Sequence, residues 1–222
     1  AGWSPYNYVL GNPIRNIDPD GRDVVVKTKE KNGQEHVQVQ YRGVLIDRTG
    51  TMSRKELRQL RRQIKSQIES SFSGSGNSRS WSTKVKLRIG IAPKGSGSSR
   101  ESTIQLVSDG YQYGDGPTLD YGSSTHLNGF DALVNLGSPQ GVAKTSAHEV
   151  GHTMGLPHVF GATVENSPSF MFPDPNLVTN DNPLAGNLMM PGPFPSRLQG
   201  TDILEAQILH IRSDYQSGKL NR

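Results

Sequence analysis

Alternating apolar and polar positions predict several short strands in the first two thirds of the chain. Asp23 to Lys29 and His36 to Tyr41 each alternate in this way, and the Asn32-Gly33 pair between them is typical of a tight hairpin turn. The other predicted strands cover residues 44–46, 85–91, 103–107 and 132–136. The stretches 73–80 and 94–100 are rich in Gly and Ser and are predicted to be loops, and residues 110–129 show no clear period.

Apolar positions three and four residues apart predict three helices. Ser53 and Glu56 have the spacing of a capping box, and the helix they open carries one apolar stripe, formed by Leu57, Leu60, Ile64, Ile68 and Phe72. A second helix is predicted over residues 142–154 and a third over 202–217. The order of elements is strands, a helix, further strands, a second helix, an irregular stretch and a final helix, which indicates an α+β fold.

Composition narrows the class of protein. Only 32% of the 222 residues are hydrophobic, and 25 glycines with 14 prolines predict long loops around one core. The absence of cysteine excludes disulfides and thiol chemistry. No apolar run approaches the roughly 20 residues of a membrane span, and no signal peptide is visible. A net charge of +4 does not by itself indicate a nucleic-acid partner, so we expect none.

The most informative segment runs from His148 to His158 and has the sequence HEVGHTMGLPH. On a helix, His148 and His152 lie on the same face one turn apart, where two imidazoles can bind one metal ion. A straight helix would carry His158 about 15 Å beyond His148 along its axis, so His158 can join them only if the chain turns back. Gly155 adopts a positive φ readily, and Pro157 prevents the helix from resuming.

This segment fits the pattern HExxHxxGxxH and resembles the zinc-binding signature of the metzincin metallopeptidases. The resemblance implies that His148, His152 and His158 bind one Zn²⁺ in an open site, and that Glu149 acts as the general base. It also implies a metzincin-like fold, in which a twisted mixed sheet and two long helices lie above a cleft and a small irregular C-terminal subdomain with a final helix lies below. The alternative for the motif is a helix whose histidines serve packing alone.

A methionine-containing turn is the second feature that resembles this family. Asn187-Leu188-Met189-Met190 lies some thirty residues beyond the third histidine and precedes a Pro/Gly-rich stretch. In metzincins a Met side chain in such a turn forms an apolar floor beneath the zinc ligands. Met189 is the preferred candidate and Met190 the alternative, while an ordinary core methionine is the competing interpretation. His126 and His210 do not have metal-ligand spacing and are interpreted as structural.

The first 22 residues resemble the end of the Rhs/YD-repeat core, a shell that encloses a C-terminal toxin. Pro13, Asp18, Pro19 and Gly21 fit its boundary pattern PxxxxDPxGL, and Arg22 stands where Leu is usual. The resemblance implies that residues 1–22 end the core and that residues 23–222 form the toxin domain. The metzincin resemblance divides this domain into an upper subdomain at 23–155 and a lower one at 156–222. The likeness to the Rhs core further implies that the chain is cleaved between Arg22 and Asp23. The parent protein would be a larger bacterial toxin that is secreted or delivered into a target cell.

The sequence therefore predicts a zinc-dependent endopeptidase that acts as the toxin domain of an Rhs-type protein. Its expected partners are a protein or peptide substrate, the Rhs core of its parent chain and a cognate immunity protein. The alternative is a non-enzymatic, zinc-stabilised binding module that acts through the basic side chains of the first helix. Those side chains are Arg54, Lys55, Arg58, Arg61, Arg62 and Lys65. They are also what the solvated side of an amphipathic helix would carry.

Overall fold

A mixed sheet with helices packed on it forms the part of the chain that the computed structural model describes. The described residues are 23–31, 33–76, 79–91, 102–112, 118–119, 124–125, 130–158, 187–189 and 200–220. The strands are β1 (Val24–Lys31), β2 (Gln34–Asp47), β3 (Gly74–Ser75), β4 (Arg79–Ile89), β5 (Thr103–Val107), β6 (Tyr111–Gln112), β7 (Thr118–Leu119), β8 (Ser124–Thr125) and β9 (Asp131–Asn135). The helices are α1 (Arg54–Ser71), α2 (Val142–Thr153) and α3 (Glu205–Gln216).

The long strand β2 organises the main sheet. It pairs in parallel with β4 along one edge and in parallel with β5 over the end of its other edge. The first half of that other edge pairs with β1 in the antiparallel hairpin. The sheet continues from β5 through the parallel strand β9 to the antiparallel strand β8, giving the order β3-β4-β2-β5-β9-β8. The short strands β6 and β7 pair separately.

The edge of β2 passes from β1 to β5 at Gly43. The Arg42 amide donates to the Asp23 carbonyl oxygen, and the Val44 amide donates to the Ser102 carbonyl oxygen. A Cβ atom added to Gly43 would lie 3.0 Å from the Tyr41 hydroxyl and 3.1 Å from the Ser102 carbonyl oxygen, so a side chain would fit at the crossing only if these neighbours shifted. The Asp23 carboxylate is buried in this junction and accepts a hydrogen bond from the Ser102 amide. Burial, with the charge of Asp23 next in weight, raises the pKa of the Tyr41 hydroxyl far above its ordinary value.

The helix α1 packs its apolar stripe on the sheet beside β4. Ser53 caps it through the predicted box, since its hydroxyl accepts from the Glu56 amide while the Glu56 carboxylate accepts from the Ser53 amide. Leu57, Ile64 and Ile68 are buried. Polar groups at the end of α1 bind β4 directly, because the Glu69 carboxylate accepts from the Val85 amide and the Ser73 hydroxyl accepts from the Thr83 amide.

The predicted α+β class is confirmed, and several element boundaries differ from the prediction. The loop predicted at 73–80 is wrong in part, because it contains β3 and the first two residues of β4. Residues 34–47 form one continuous strand instead of two pieces. The strand predicted to begin at Val85 begins at Arg79, because Trp81 and Thr83 face the core although serines surround them. The final helix begins at Glu205, three residues later than predicted. No helix among the described residues is long and apolar enough to cross a membrane.

Candidate metal centre

The helix α2 carries the first two candidate ligands on its buried side. It begins after Gly141, whose φ is 84°, and every residue from Thr145 to Thr153 is buried. His148 is 2% exposed and His152 is 7% exposed, which is unusual for imidazoles and indicates that their rings are enclosed by polar partners. Glu149 lies between them in the sequence and is only 3% exposed.

The turn that the sequence predicts at Gly155 is present. Gly155 has a φ of 85°, its amide donates to the His152 carbonyl oxygen, and the Leu156 amide donates to the Gly151 carbonyl oxygen. This pattern ends a helix by reversing the chain, and it needs a residue without a side chain at the left-handed position. The reversal places the His158 ring against the rings of His148 and His152.

The three imidazoles converge through the same ring atom. The His158 Nε2 atom lies 3.1 Å from the Nε2 atoms of both His148 and His152. All three ligand atoms lie within 4.8 Å of one another, and this group could hold a metal ion. Nitrogens bound to one tetrahedral Zn²⁺ at about 2.0–2.1 Å would be separated by about 3.3 Å. Two of the three separations are close to this value, so the donor set is compatible with such an ion.

Backbone carbonyl groups hold the two helical rings in orientation. The His148 Nδ1 atom lies 2.7 Å from the Leu188 carbonyl oxygen, and the His152 Nδ1 atom lies 2.7 Å from the Leu156 carbonyl oxygen. A carbonyl oxygen can only accept, so each Nδ1 carries the proton and each Nε2 presents a lone pair toward the shared centre. This arrangement is the usual one for a histidine that binds a metal. The sequence motif did not reveal these carbonyl partners.

Met189 lies directly beneath α2. Its side chain is fully buried, and a Cβ atom added to Gly151 would come within 2.4 Å of the Met189 sulfur. Gly151 therefore allows the methionine to approach the helix between the two histidine-bearing turns. Sequence reasoning identified Met189 but missed Gly151, since the contact joins residues far apart in the chain. The alternative, Met190, lies outside the described residues.

The remaining residues that the sequence singled out lie in other parts of the structure or outside the described residues. His210 lies on α3, where its Nε2 atom is 3.1 Å from the Gly155 carbonyl oxygen. Five basic side chains of α1 are exposed, and the sixth, Arg61, donates to the Leu87 carbonyl oxygen. His126 and the boundary motif up to Arg22 lie outside the described residues, as does most of the lower subdomain. Asp23 is the first described residue and is buried.

Comparison with protein-family models finds no match to this chain, and comparison with curated proteins finds none either.

Proposed function

We propose that this chain is a zinc-dependent endopeptidase. The observation that carries the proposal is the convergence of the Nε2 atoms of His148, His152 and His158, with a buried glutamate, Glu149, directly after the first of them in the sequence. A site that served only to stabilise the fold would have no use for a general base at this position of the motif. The HExxHxxGxxH resemblance supplies the same assignment independently of the coordinates.

Each residue then has a definite task. The three histidines would bind Zn²⁺, and the carbonyl groups of Leu188 and Leu156 keep His148 and His152 in the tautomer that binding requires. When bound, Zn²⁺ would polarise a peptide carbonyl and lower the pKa of a water molecule. Glu149 accepts the proton of the attacking water and then passes it to the leaving amine.

The proposed site for a peptide substrate is the edge of the sheet at β8. The strand β8 is the last strand of the sheet on the side of α2, and it pairs with β9 only, among the strands that are described. An extended peptide can add to such an edge through backbone hydrogen bonds, which are largely independent of the peptide's sequence. A peptide in that position would run alongside the helix that carries His148 and Glu149.

The biological setting is proposed from the first 22 residues alone. Their likeness to the Rhs boundary pattern supports a role as a toxin domain, released at Arg22–Asp23 and countered by an immunity protein. A second function, binding through α1, is favoured by its exposed basic side chains: Arg54, Lys55, Arg58, Arg62 and Lys65. Such a function would depend on charge and would not require Glu149.

The test compares the wild-type chain with Glu149→Gln, which keeps the size of the side chain but cannot accept the proton. Zinc-loaded samples of both are incubated with a denatured bacterial lysate, and new N-termini are mapped by mass spectrometry. We expect the variant to bind zinc and remain folded while cleavage falls by about 10²–10⁴-fold. Cleavage by the variant at the wild-type rate would contradict the mechanism.

A second variant separates the two proposed functions. Arg58→Gln/Arg62→Gln removes two exposed charges from α1 and leaves the metal centre unchanged. If the protein is a peptidase, this variant cuts like the wild type when assayed on short peptides. Toxicity in cells that survives Glu149→Gln but disappears in the double variant would favour the binding function instead.

A further inference from the structure

The helix α3 presents two polar side chains, Gln207 and His210, toward the metal centre. They are three residues apart and therefore lie on the same side of the helix. Neither is a candidate metal ligand. Gln207 contacts the side chain of Asn187, and His210 contacts the carbonyl oxygen of Gly155. The segments that contain Asn187 and Gly155 each carry a carbonyl group that orients one of the histidine ligands.

Gln207 holds the segment that contains Met189. Its Oε1 atom accepts from the Asn187 side-chain amide at 2.8 Å and from the Leu204 backbone amide at 2.8 Å, while its Nε2 atom lies 3.2 Å from the Asn187 Oδ1 atom. Asn187 Oδ1 also accepts from the Met189 amide at 2.9 Å. The carbonyl group of the residue between them, Leu188, accepts the Nδ1 proton of His148. Gln207 thus fixes the backbone that orients the first ligand.

Burial makes the hydrogen bonds between the two side-chain amides hard to replace. Asn187 and Gln207 are both buried, so each group that loses its partner there cannot turn to water instead. An apolar side chain at either position would leave at least one amide group of the other without a hydrogen bond. The segment 187–189 has the further support of the Leu188 amide, which donates to the Asp202 carbonyl oxygen just before α3.

His210 holds the turn between α2 and His158. Its Nε2 atom lies 3.1 Å from the Gly155 carbonyl oxygen and 3.4 Å from the Asp214 carboxylate. Both neighbours are acceptors, so Nε2 carries a proton and donates to Gly155. The next carbonyl group, that of Leu156, accepts the Nδ1 proton of His152. His210 thus fixes the peptide that leads from the second ligand to the third.

We propose that Gln207 and His210 are positioning residues of the metal centre, so that docking of α3 and binding of the metal are coupled. The proposal rests on the metal site of the proposed function and does not depend on peptide hydrolysis. Coupling of this kind is reciprocal: a docked α3 raises metal affinity, and a bound metal stabilises the docking of α3 by the same free energy. The competing explanation is that α3 serves packing alone, through the buried side chains of Ile208 and Ile211.

The first experiment measures zinc dissociation constants by competition with a chromophoric chelator, on variants shown to be folded by circular dichroism. Gln207→Met and His210→Phe remove the hydrogen bonds and keep side-chain volume, and we expect each to weaken zinc binding by about 10–100-fold. His210→Gln keeps an N–H donor and should remain within a few-fold of the wild type. Ile211→Val is the matched control, because it weakens the packing of the same helix without touching either hydrogen bond.

The outcomes separate the explanations. The proposal would be overturned if Gln207→Met and His210→Phe bound zinc as tightly as the wild type does. It would also be overturned if Ile211→Val lost as much zinc affinity as those two variants. A wild-type chain that binds no zinc would overturn both this proposal and the proposed function. A wild-type chain that binds zinc but cuts no peptide, with both variants weakened, would support the positioning role while it contradicts the peptidase.

A second experiment needs no variant. Hydrogen exchange of the wild-type chain is followed with zinc and with a chelator. We expect zinc to slow exchange of the amides in α3, residues 205–216, as well as those in α2, while α1 changes least. Slower exchange confined to α2 would overturn the proposal, because a coupled helix must gain protection when the metal binds.

Discussion

Two regions of this molecule are held together in different ways. In the layer formed by the sheet and α1, buried apolar side chains fill the interior, among them Ile64, Ile68 and Phe72. Around the metal centre, buried polar side chains lie among the apolar ones, and four of them are held by hydrogen bonds: His148, His152, Asn187 and Gln207. Apolar burial is strong but has no direction, whereas hydrogen bonds fix angles. The first region supplies stability, and the second supplies geometry.

The first and largest effect is expected in the apolar layer. Ile68 is fully buried in α1, so Ile68→Ala leaves a cavity and should lower the free energy of unfolding by about 2–5 kcal/mol. Leu60→Ala, at a partly buried position of the same stripe, should cost less. Urea unfolding measures both. If the two regions are separate in function, folded Ile68→Ala binds zinc as the wild type does, and a large loss of zinc affinity would contradict the comparison.

The metal itself should stabilise the polar region and, through it, the whole chain. At a free zinc concentration 100 times the dissociation constant, linkage predicts a gain of about 2.7 kcal/mol in the free energy of unfolding. His158→Ala removes one of the three converging nitrogens and should lose most of this gain. Unfolding curves recorded with zinc and with chelator would show it. Equal gains in the wild type and in His158→Ala would mean that zinc binds elsewhere.

At the contact between Gly151 and Met189, apolar packing meets the helix that carries the metal ligands. The Cβ atom of Gly151→Ala would come within 2.4 Å of the Met189 sulfur, so we expect overpacking to cost about 1–3 kcal/mol. Zinc affinity should fall as well, because the added atom lies between the two helical ligands. A double-mutant cycle with Met189→Ala provides the control, since the penalty for Gly151→Ala should shrink when the sulfur is gone. An unchanged penalty would place the strain elsewhere.

The smallest effect is expected at the ion pairs that connect α3 to the sheet. Glu35 accepts from Arg79 at 2.6 Å and from Arg212 at 2.6 Å, and the hydrogen bond from Arg79 is the main reason that its pKa lies below the ordinary 4.5. A lowered carboxyl pKa contributes stability above pH 4.5, and the contribution is lost as the pH falls through the lower value of the folded state. Because the site is partly exposed, the contribution should be less than about 1 kcal/mol.

That prediction is checked by melting temperatures from pH 7 down to pH 3 for the wild type and Glu35→Gln. The difference between the two should narrow as the pH falls through the range in which Glu35 is protonated. A difference that stays constant over the whole range would show that the carboxylate charge contributes nothing to stability.

The sequence predicted the elements that local patterns specify. The capping box at Ser53, the stripe of α1 and the reversal at Gly155 all follow from residues close together in the chain, and the structure has each of them. The first part of β4, from Arg79 to Lys84, was missed because serines alternate with its buried residues, and only the packing of Trp81 against the core reveals it. A pattern of hydrophobicity cannot show such a strand in isolation.

The candidate site also combines residues that the sequence predicts with residues that it does not. The three histidines and Glu149 follow from one motif of eleven positions. The groups that orient them do not, because Leu188 and His210 reach the site from parts of the chain 40 and 55 residues away from their partners. Gln207 looked like an ordinary helical position, and its role depends on Asn187 alone. Long-range hydrogen bonds leave no periodic signal in a sequence.

Because Asp23 is buried, the fold tolerates extra residues before this position better than it tolerates the loss of Asp23 itself. Its carboxylate accepts the Ser102 amide and its carbonyl oxygen accepts the Arg42 amide, so the junction of three strands depends on this residue. Additional residues before it leave both hydrogen bonds intact. A proteolytic cut even one bond later would remove the acceptors and open the edge between β1 and β5. The proposed release site at Arg22–Asp23 is therefore the last peptide bond that a processing protease can cleave while both hydrogen bonds of Asp23 are kept.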